Sequence, residues 1–390
     1  MLGDKLFYRE LIKNLFSDPF EVKFWDGDIE RFGEGEPKFR IIFNEPISKA
    51  KLLSDPSMAF GEGYMYKKVE IEGNLQQAIE SIYNNSESFL RNDSKYATII
   101  QKVSNSLKIS KNNVQHHYDI GNDFYKLWLD ETMTYSCAYF KTPDDTLKQA
   151  QINKVGHILK KLNLKKGETL LDIGCGWGEL ILTAAREYGV KATGITLSVE
   201  QYEKSRERIK SESLEDLVEV SLTDYREVKS RKFDRIVSVG MLEHVGKDHL
   251  REYFTKIREL LCDGGVSLLH SITSDGKSGP NSWINAYIFP GGYVPGINEL
   301  VNYIMDSSFQ LIDIEELRRH YGRTLEHWAR NFENALPEIR KSKDETFIRM
   351  WRLYLNSCAA SFNTGNNSVH QILFSKGIND SLPWTREYMN

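Results

Sequence analysis

Apolar and polar positions change rhythm along this chain, and the changes divide it. Residues 1–16 read as an amphipathic helix, with Leu2, Leu6, Leu11 and Leu15 on or near one face. The strand-like runs FEVKFW and KFRIIF follow, broken by turn dipeptides such as Asp26-Gly27. A glycine-rich turn is expected at Phe60-Gly-Glu-Gly-Tyr64, and a further helix from about Asn74. Together these predict a small α/β domain over residues 1–95. Residues 96–115 are assigned as a linker, because from 101 onward Ser, Asn and Lys dominate and little is left to bury. From 116 to 390 the pattern turns into strands separated by helix-length segments. The strand candidates are 169–173, 191–195, 218–222, 234–239, 265–272, 309–317 and 369–376. Such alternation is the signature of βαβ crossovers, so a seven-stranded, largely parallel α/β sheet is predicted.

Length agrees with that division. At ~150 residues per unit, 390 residues are too many for one compact domain. A net charge of −4 excludes a globally basic nucleic-acid binder, although a local basic patch stays open. No apolar run is long enough to span a bilayer, and the charged start lacks a signal-peptide core, so a cytoplasmic protein is expected. Cys137, Cys175, Cys262 and Cys358 have no zinc-finger or redox spacing, so no metal site is expected.

The first strand of the second region, TLLDI, runs into Gly174-Cys175-Gly176-Trp177-Gly178 and then a helix. Glycines at that place let the backbone turn tightly and let a nucleotide approach the helix N-terminus. A nicotinamide site is one reading. Against it, Glu179 stands where a third glycine belongs and Thr196 where an acid is expected. The form LDxGCGxG instead resembles the first motif of class I S-adenosylmethionine methyltransferases, and Asp224 matches their adenine-side position.

Longer runs narrow the reading. HHYDIGNDFYKLWLDETMTYSCAYF (116–140), GMLEHVG (240–246), LLHSIT (269–274), FPGGYVP (289–295), HYGRTLEHW (320–328) and YLNSCAASF (354–362) resemble the cyclopropane fatty acid synthase family. The N-terminal run MAFGEGYMYKKVEIEGNL (58–75) is similar to its bacterial phospholipid-acting branch. The resemblance implies a class I Rossmann-like fold. It implies methylation of a cis double bond in a phospholipid acyl chain by S-adenosylmethionine, with ring closure by a bound bicarbonate base. Glu243, His270 and Tyr321, with the main chains of Cys137 and Ile272, would cradle the bicarbonate. Cys358 matches a cysteine that the family has treated as an active-site residue. Tyr135 and Ser136 would lie at the methionine end of the cofactor, and Asp172, Gly174, Cys175, Gly176 and Gly178 in the loop. Thr196 and Gln201 would fall near the ribose, and Asp224, Tyr225 and Arg226 near the adenine. Tyr135, Tyr139, Phe140, Trp283, Tyr287, Phe289 and Tyr321 are candidates to face a cation, and each is equally a candidate for core packing.

A lipid substrate requires peripheral association with the bilayer surface, and the resemblance suggests homodimers. Six lysines at 148, 154, 160, 161, 165 and 166, with the linker lysines 102, 108 and 111, are candidates to face anionic headgroups, or else the six form an ordinary solvated helix face. The segment 281–300 is expected to be a lid or acyl-channel wall. Alternatives within the same fold end in a methyl branch or an N-methylated product.

Overall fold

In the computed structural model, residues 2–86, 88, 120–229, 231–274 and 281–389 are described. The expected linker at 96–115 lies outside them, as do lysines 102, 108 and 111. The chain divides into two compact units. One gathers residues 1–102, 277–290 and 325–367; the other gathers 103–276, 291–324 and 368–390. Among the described residues, no helix is long and apolar enough to cross a membrane.

The first unit contains a four-stranded sheet of β1 (Phe20–Lys23), β2 (Ile29–Phe32), β3 (Arg40–Phe43) and β4 (Val69–Glu72), in the order β2-β1-β3-β4. Its core is aromatic, with Tyr8, Phe16, Phe20, Phe24, Phe39 and Phe43 all buried. The segment Phe60–Tyr64 is not the expected turn; it lies within the helix Pro56–Met65. Asp55 caps that helix by accepting the Met58 N–H at 3.0 Å, and Pro56 occupies its first turn. Gly61 and Gly63 serve packing there. A Cβ on Gly61 would lie 2.3 Å from the Trp283 ring, and one on Gly63 2.9 Å from Ile47.

The second unit carries the predicted seven strands: β5 (Thr169–Ile173), β6 (Lys191–Thr196), β7 (Val218–Leu222), β8 (Phe233–Val239), β9 (Leu261–Ser274), β10 (Gln310–Glu316) and β11 (Asn367–Ser375). Their order is β10-β11-β9-β8-β5-β6-β7. β5 pairs in parallel with both β6 and β8, and β10 is antiparallel to β11. The chain order reverses beside β5, so the crevice at its carboxyl end is where an α/β sheet binds ligands. Buried apolar residues cover both faces of the central strands, which explains why β5, β8 and β9 read as largely apolar runs, while β7 and β10 at the two edges are mostly exposed.

The helix Leu147–Lys161 corrects the expectation of one lysine face turned to lipid. Lys154 and Lys161 are 3% and 2% exposed. Lys161 pairs with Glu315, to which His157 is also bound at 2.7 Å. Lys148 pairs with Glu131 at the surface, Lys165 and Lys166 are exposed, and Lys160 is half-buried.

Candidate active site

β5 ends at Ile173, and the chain then turns through Gly174 and Gly178, with φ of +83° and +88°. Both values favour glycine. At Gly174 a Cβ would also meet Met241 at 2.8 Å, so the loop packs bare against the turn after β8. Gly178 begins the helix Glu179–Tyr188, whose first N–H groups face the crevice end of the sheet.

Around this loop lies a cavity of about 140 Å³. It is lined by Tyr135, Ser136, Asp172, Gly174, Cys175, Gly176, Thr196, Gln201, Asp224, Tyr225 and Arg226. Every candidate cofactor residue except Gly178 is therefore on its wall. Thr196 Oγ donates to Gln201 Oε1 at 2.7 Å, which fixes the amide at the end of β6. Asp224 is held by Arg226 through Nε at 2.8 Å and Nη2 at 2.7 Å, and the guanidinium lies over the Tyr225 ring. The Tyr225 hydroxyl and Asp172 Oδ1 are buried without a hydrogen-bond partner. Burial pushes the Asp172 carboxyl up to about 7. A bare glycine loop, two orphaned polar atoms and polar side chains along both walls fit a nucleoside that carries an amino acid.

Sequence reasoning missed Lys154 and His244 on this wall. Lys154 Nζ donates to Ser136 Oγ at 2.9 Å, and Gln151 Nε2 donates to the carbonyls of Thr134 and Ser136 at 3.2 and 2.9 Å. Burial holds the His244 imidazole down at about 4, so it is neutral. The signal available in the sequence was position: Gln151 and Lys154 fall on the same side of their helix as the buried Ala150 and Ile158.

Of the candidate base-binding residues, His270 and Ile272 lie on β9, Glu243 in the turn after β8 and Tyr321 on the helix Arg318–Asn334. Glu243 follows β8, and its Oε1 accepts the Ile272 N–H from β9 at 2.6 Å. Its Oε2 is buried with no partner, and burial raises the carboxyl above its ordinary range. The Ile272 N–H is thus engaged by Glu243. His270 shares the strand face of Ile272, two residues earlier, and is 2% exposed. Gln371 Nε2 on β11 lies 3.2 Å from His270 Nδ1, and burial pushes the imidazole down to about 3. The neutral ring accepts at Nδ1 and keeps its proton on Nε2.

Cys137 and Tyr321 meet at Leu317, whose carbonyl lies 3.9 Å from Cys137 Sγ and accepts the Tyr321 N–H at 3.1 Å. Burial raises the Cys137 thiol far above its ordinary value, so its side chain is no thiolate. Cys358 belongs to the other unit, on the helix Glu345–Asn363, and burial pushes its thiol up to about 12. Of the aromatic candidates, Tyr139 stacks between His157 and His320 at 4.3 and 4.7 Å. Trp283, Tyr287 and Phe289 fall in the first unit, where Phe289 packs edge-on against Tyr354.

A family model described as mycolic acid cyclopropane synthetase matches residues 105–372. The chain belongs to that family. A second model, a domain of unknown function (DUF7884), matches residues 7–94. A "Probable fatty acid methyltransferase" of Pseudomonas putida is 39% identical over 381 residues, covering 95% of this chain and 96% of the relative. The "Cyclopropane-fatty-acyl-phospholipid synthase" of Escherichia coli K12 is 41% identical over 270 residues, 69% of each chain. The solved mycolic acid cyclopropane synthase CmaA1, complexed with SAH and CTAB, is 35% identical with a TM-score of 0.65. It covers 68% of this chain and 98% of its own. This member of the cyclopropane synthetase family is accordingly an S-adenosylmethionine-dependent lipid methyltransferase with a class I Rossmann-like fold.

Proposed function

We propose that the protein is a cyclopropane-fatty-acyl-phospholipid synthase, closing a three-membered ring on a cis double bond of a phospholipid acyl chain with bicarbonate as base. When bound, S-adenosylmethionine supplies an electrophilic methyl that the alkene captures, and loss of a proton from that methyl closes the ring. The observation that carries the reading is Glu243: one oxygen anchored by the Ile272 N–H, the other buried and partnerless. A carboxylate so held accepts the hydroxyl of a bicarbonate and raises its basicity. Neutral His270 donates to the same anion through Nε2–H, with the Tyr321 hydroxyl and the Cys137 N–H as further donors. Ile272 serves by holding Glu243. Burial of this cradle keeps water from capturing a cationic intermediate as an alcohol.

In this reading residues 1–95 assist lipid binding and dimerisation, 96–115 link, and 116–390 catalyse. The enzyme works as a homodimer, peripherally on the cytoplasmic membrane surface, with the exposed Lys165 and Lys166 to meet anionic headgroups. The name of the Pseudomonas putida relative supports a second reading, a methyl-branched fatty acid. Incubation with S-adenosylmethionine and cis-unsaturated phospholipid vesicles, followed by mass spectrometry of the fatty acids, separates the two. Gain of one methylene with loss of alkene reactivity and a cyclopropane fragmentation pattern is expected. A methyl branch, or no product, would overturn the proposal.

A further inference from the structure

Lys154 is a buried cation on the wall of the cofactor cavity. It is 3% exposed, and its ammonium donates to the Ser136 hydroxyl. Among the described residues, no carboxylate lies within ion-pair distance of it. The charged and titratable groups that face it from farther away include Asp130, Asp172, Glu179, the Cys137 thiol and the His270 imidazole. Burial pushes its ammonium down to about 8, against the pull of those acids. A desolvated ammonium with only a hydroxyl for company is costly to keep. That cost is recovered if the molecule filling the cavity brings an anion to it.

The surrounding geometry restricts which anion. Gln151, three residues before Lys154, grips the carbonyls of Thr134 and Ser136, so helix and loop present one rigid polar edge. Asp172 Oδ1 is partnerless on the same cavity wall. A buried cation and a buried acid lining one cavity complement a zwitterion. The amino-acid end of S-adenosylmethionine has an α-carboxylate and an α-ammonium, whereas its nucleoside end carries no anion. We infer that Lys154 receives the α-carboxylate of S-adenosylmethionine, with Ser136 sharing the contact, and thereby selects cofactors that retain the amino-acid carboxylate. The inference rests on S-adenosylmethionine as the cavity's ligand.

Calorimetric titration tests it with three probes: S-adenosylhomocysteine, its decarboxylated form, and 5′-methylthioadenosine, which lacks the amino acid. The full-length wild-type chain is expected to prefer S-adenosylhomocysteine over the decarboxylated form by about 30-fold, as one charge-assisted contact in a buried site allows. Lys154→Met should reduce that preference to about twofold while 5′-methylthioadenosine binds as before. Lys154→Gln, which keeps a hydrogen bond to Ser136, serves if the methionine variant does not fold. A wild-type preference below about threefold overturns the assignment without any variant. So does an equal loss of all three probes in a variant that melts normally. Wild-type protein that binds none of them would instead remove the cofactor reading itself.

Discussion

The Ile272 N–H donates to Glu243 Oε1 at 2.6 Å and leaves Glu243 Oε2 buried without a partner. One strand thus aims the carboxylate presented by the turn after its neighbour. Glutamine preserves the first contact, because its amide oxygen accepts from Ile272 equally well. It replaces the second oxygen by an N–H₂ that cannot accept a proton. Glu243→Gln is therefore expected to lower kcat by about 100-fold, in the range of lost general-base assistance. Affinity for S-adenosylhomocysteine should stay within about twofold, since Glu243 is absent from the cavity wall. Parallel titration and turnover assays check the split; equal losses would relocate Glu243 to cofactor binding.

Acid sensitivity should trace to two histidines. Burial lowers His270 to about 3 and His244 to about 4. Their folded values lie below the unfolded value of 6.5. The stability they confer is present above pH ~6.5 and is lost as pH falls toward 3–4, because the unfolded chain binds the protons first. Thermal melts at pH 7.5 and 4.5 should show a fall that His270→Gln reduces. An unchanged fall in the variant would assign the acid loss elsewhere.

The centre of the second unit was legible because strands buried on both faces need apolar side chains on both, as β5, β6, β8, β9 and β11 have, whereas β7 and β10 carry mostly exposed residues. The glycine loop was equally clear, since Gly174 and Gly178 serve a backbone shape that other residues avoid. The lysines were not legible. Whether Lys154 and Lys161 face water or the interior depends on Ser136 and Glu315, 18 and 154 positions away. Local periodicity contains neither partner. β2 escaped for a related reason: its residues are exposed or half-buried, so no apolar alternation marks it. The Phe60–Tyr64 glycines mimicked a turn because the side chains that require them, Trp283 at Gly61 and Ile47 at Gly63, come from outside the helix.

Gly174→Ala tests the loop. Its φ of +83° disfavours any Cβ, and Met241 Cγ would lie 2.8 Å from the new atom. A destabilisation of about 1–3 kcal/mol is expected from strain and overpacking. Because Met241 also lines the cavity, the loss should be accompanied by at least tenfold weaker binding of S-adenosylhomocysteine. Urea melts and titration on the same sample check both. Retained affinity in a destabilised variant would separate the loop's shape from its ligand role.

Gly61→Ala asks whether packing alone explains the glycines of the Pro56–Met65 helix. In isolation, alanine should stabilise a helix by about 1 kcal/mol over glycine. Here the added Cβ would sit 2.3 Å from the Trp283 ring, which is itself buried and whose indole N–H points to Met65 Sδ at 3.1 Å. The ring cannot retreat without breaking that contact, so overpacking should outweigh propensity. The expected net result is a loss of about 1–2 kcal/mol, visible as a lower denaturation midpoint and altered tryptophan fluorescence. S-adenosylhomocysteine binding should stay within about twofold, because the cavity is lined wholly by residues of the other unit. A variant more stable than wild type would show that the Trp283 ring yields easily, and that these glycines answer to something other than its packing.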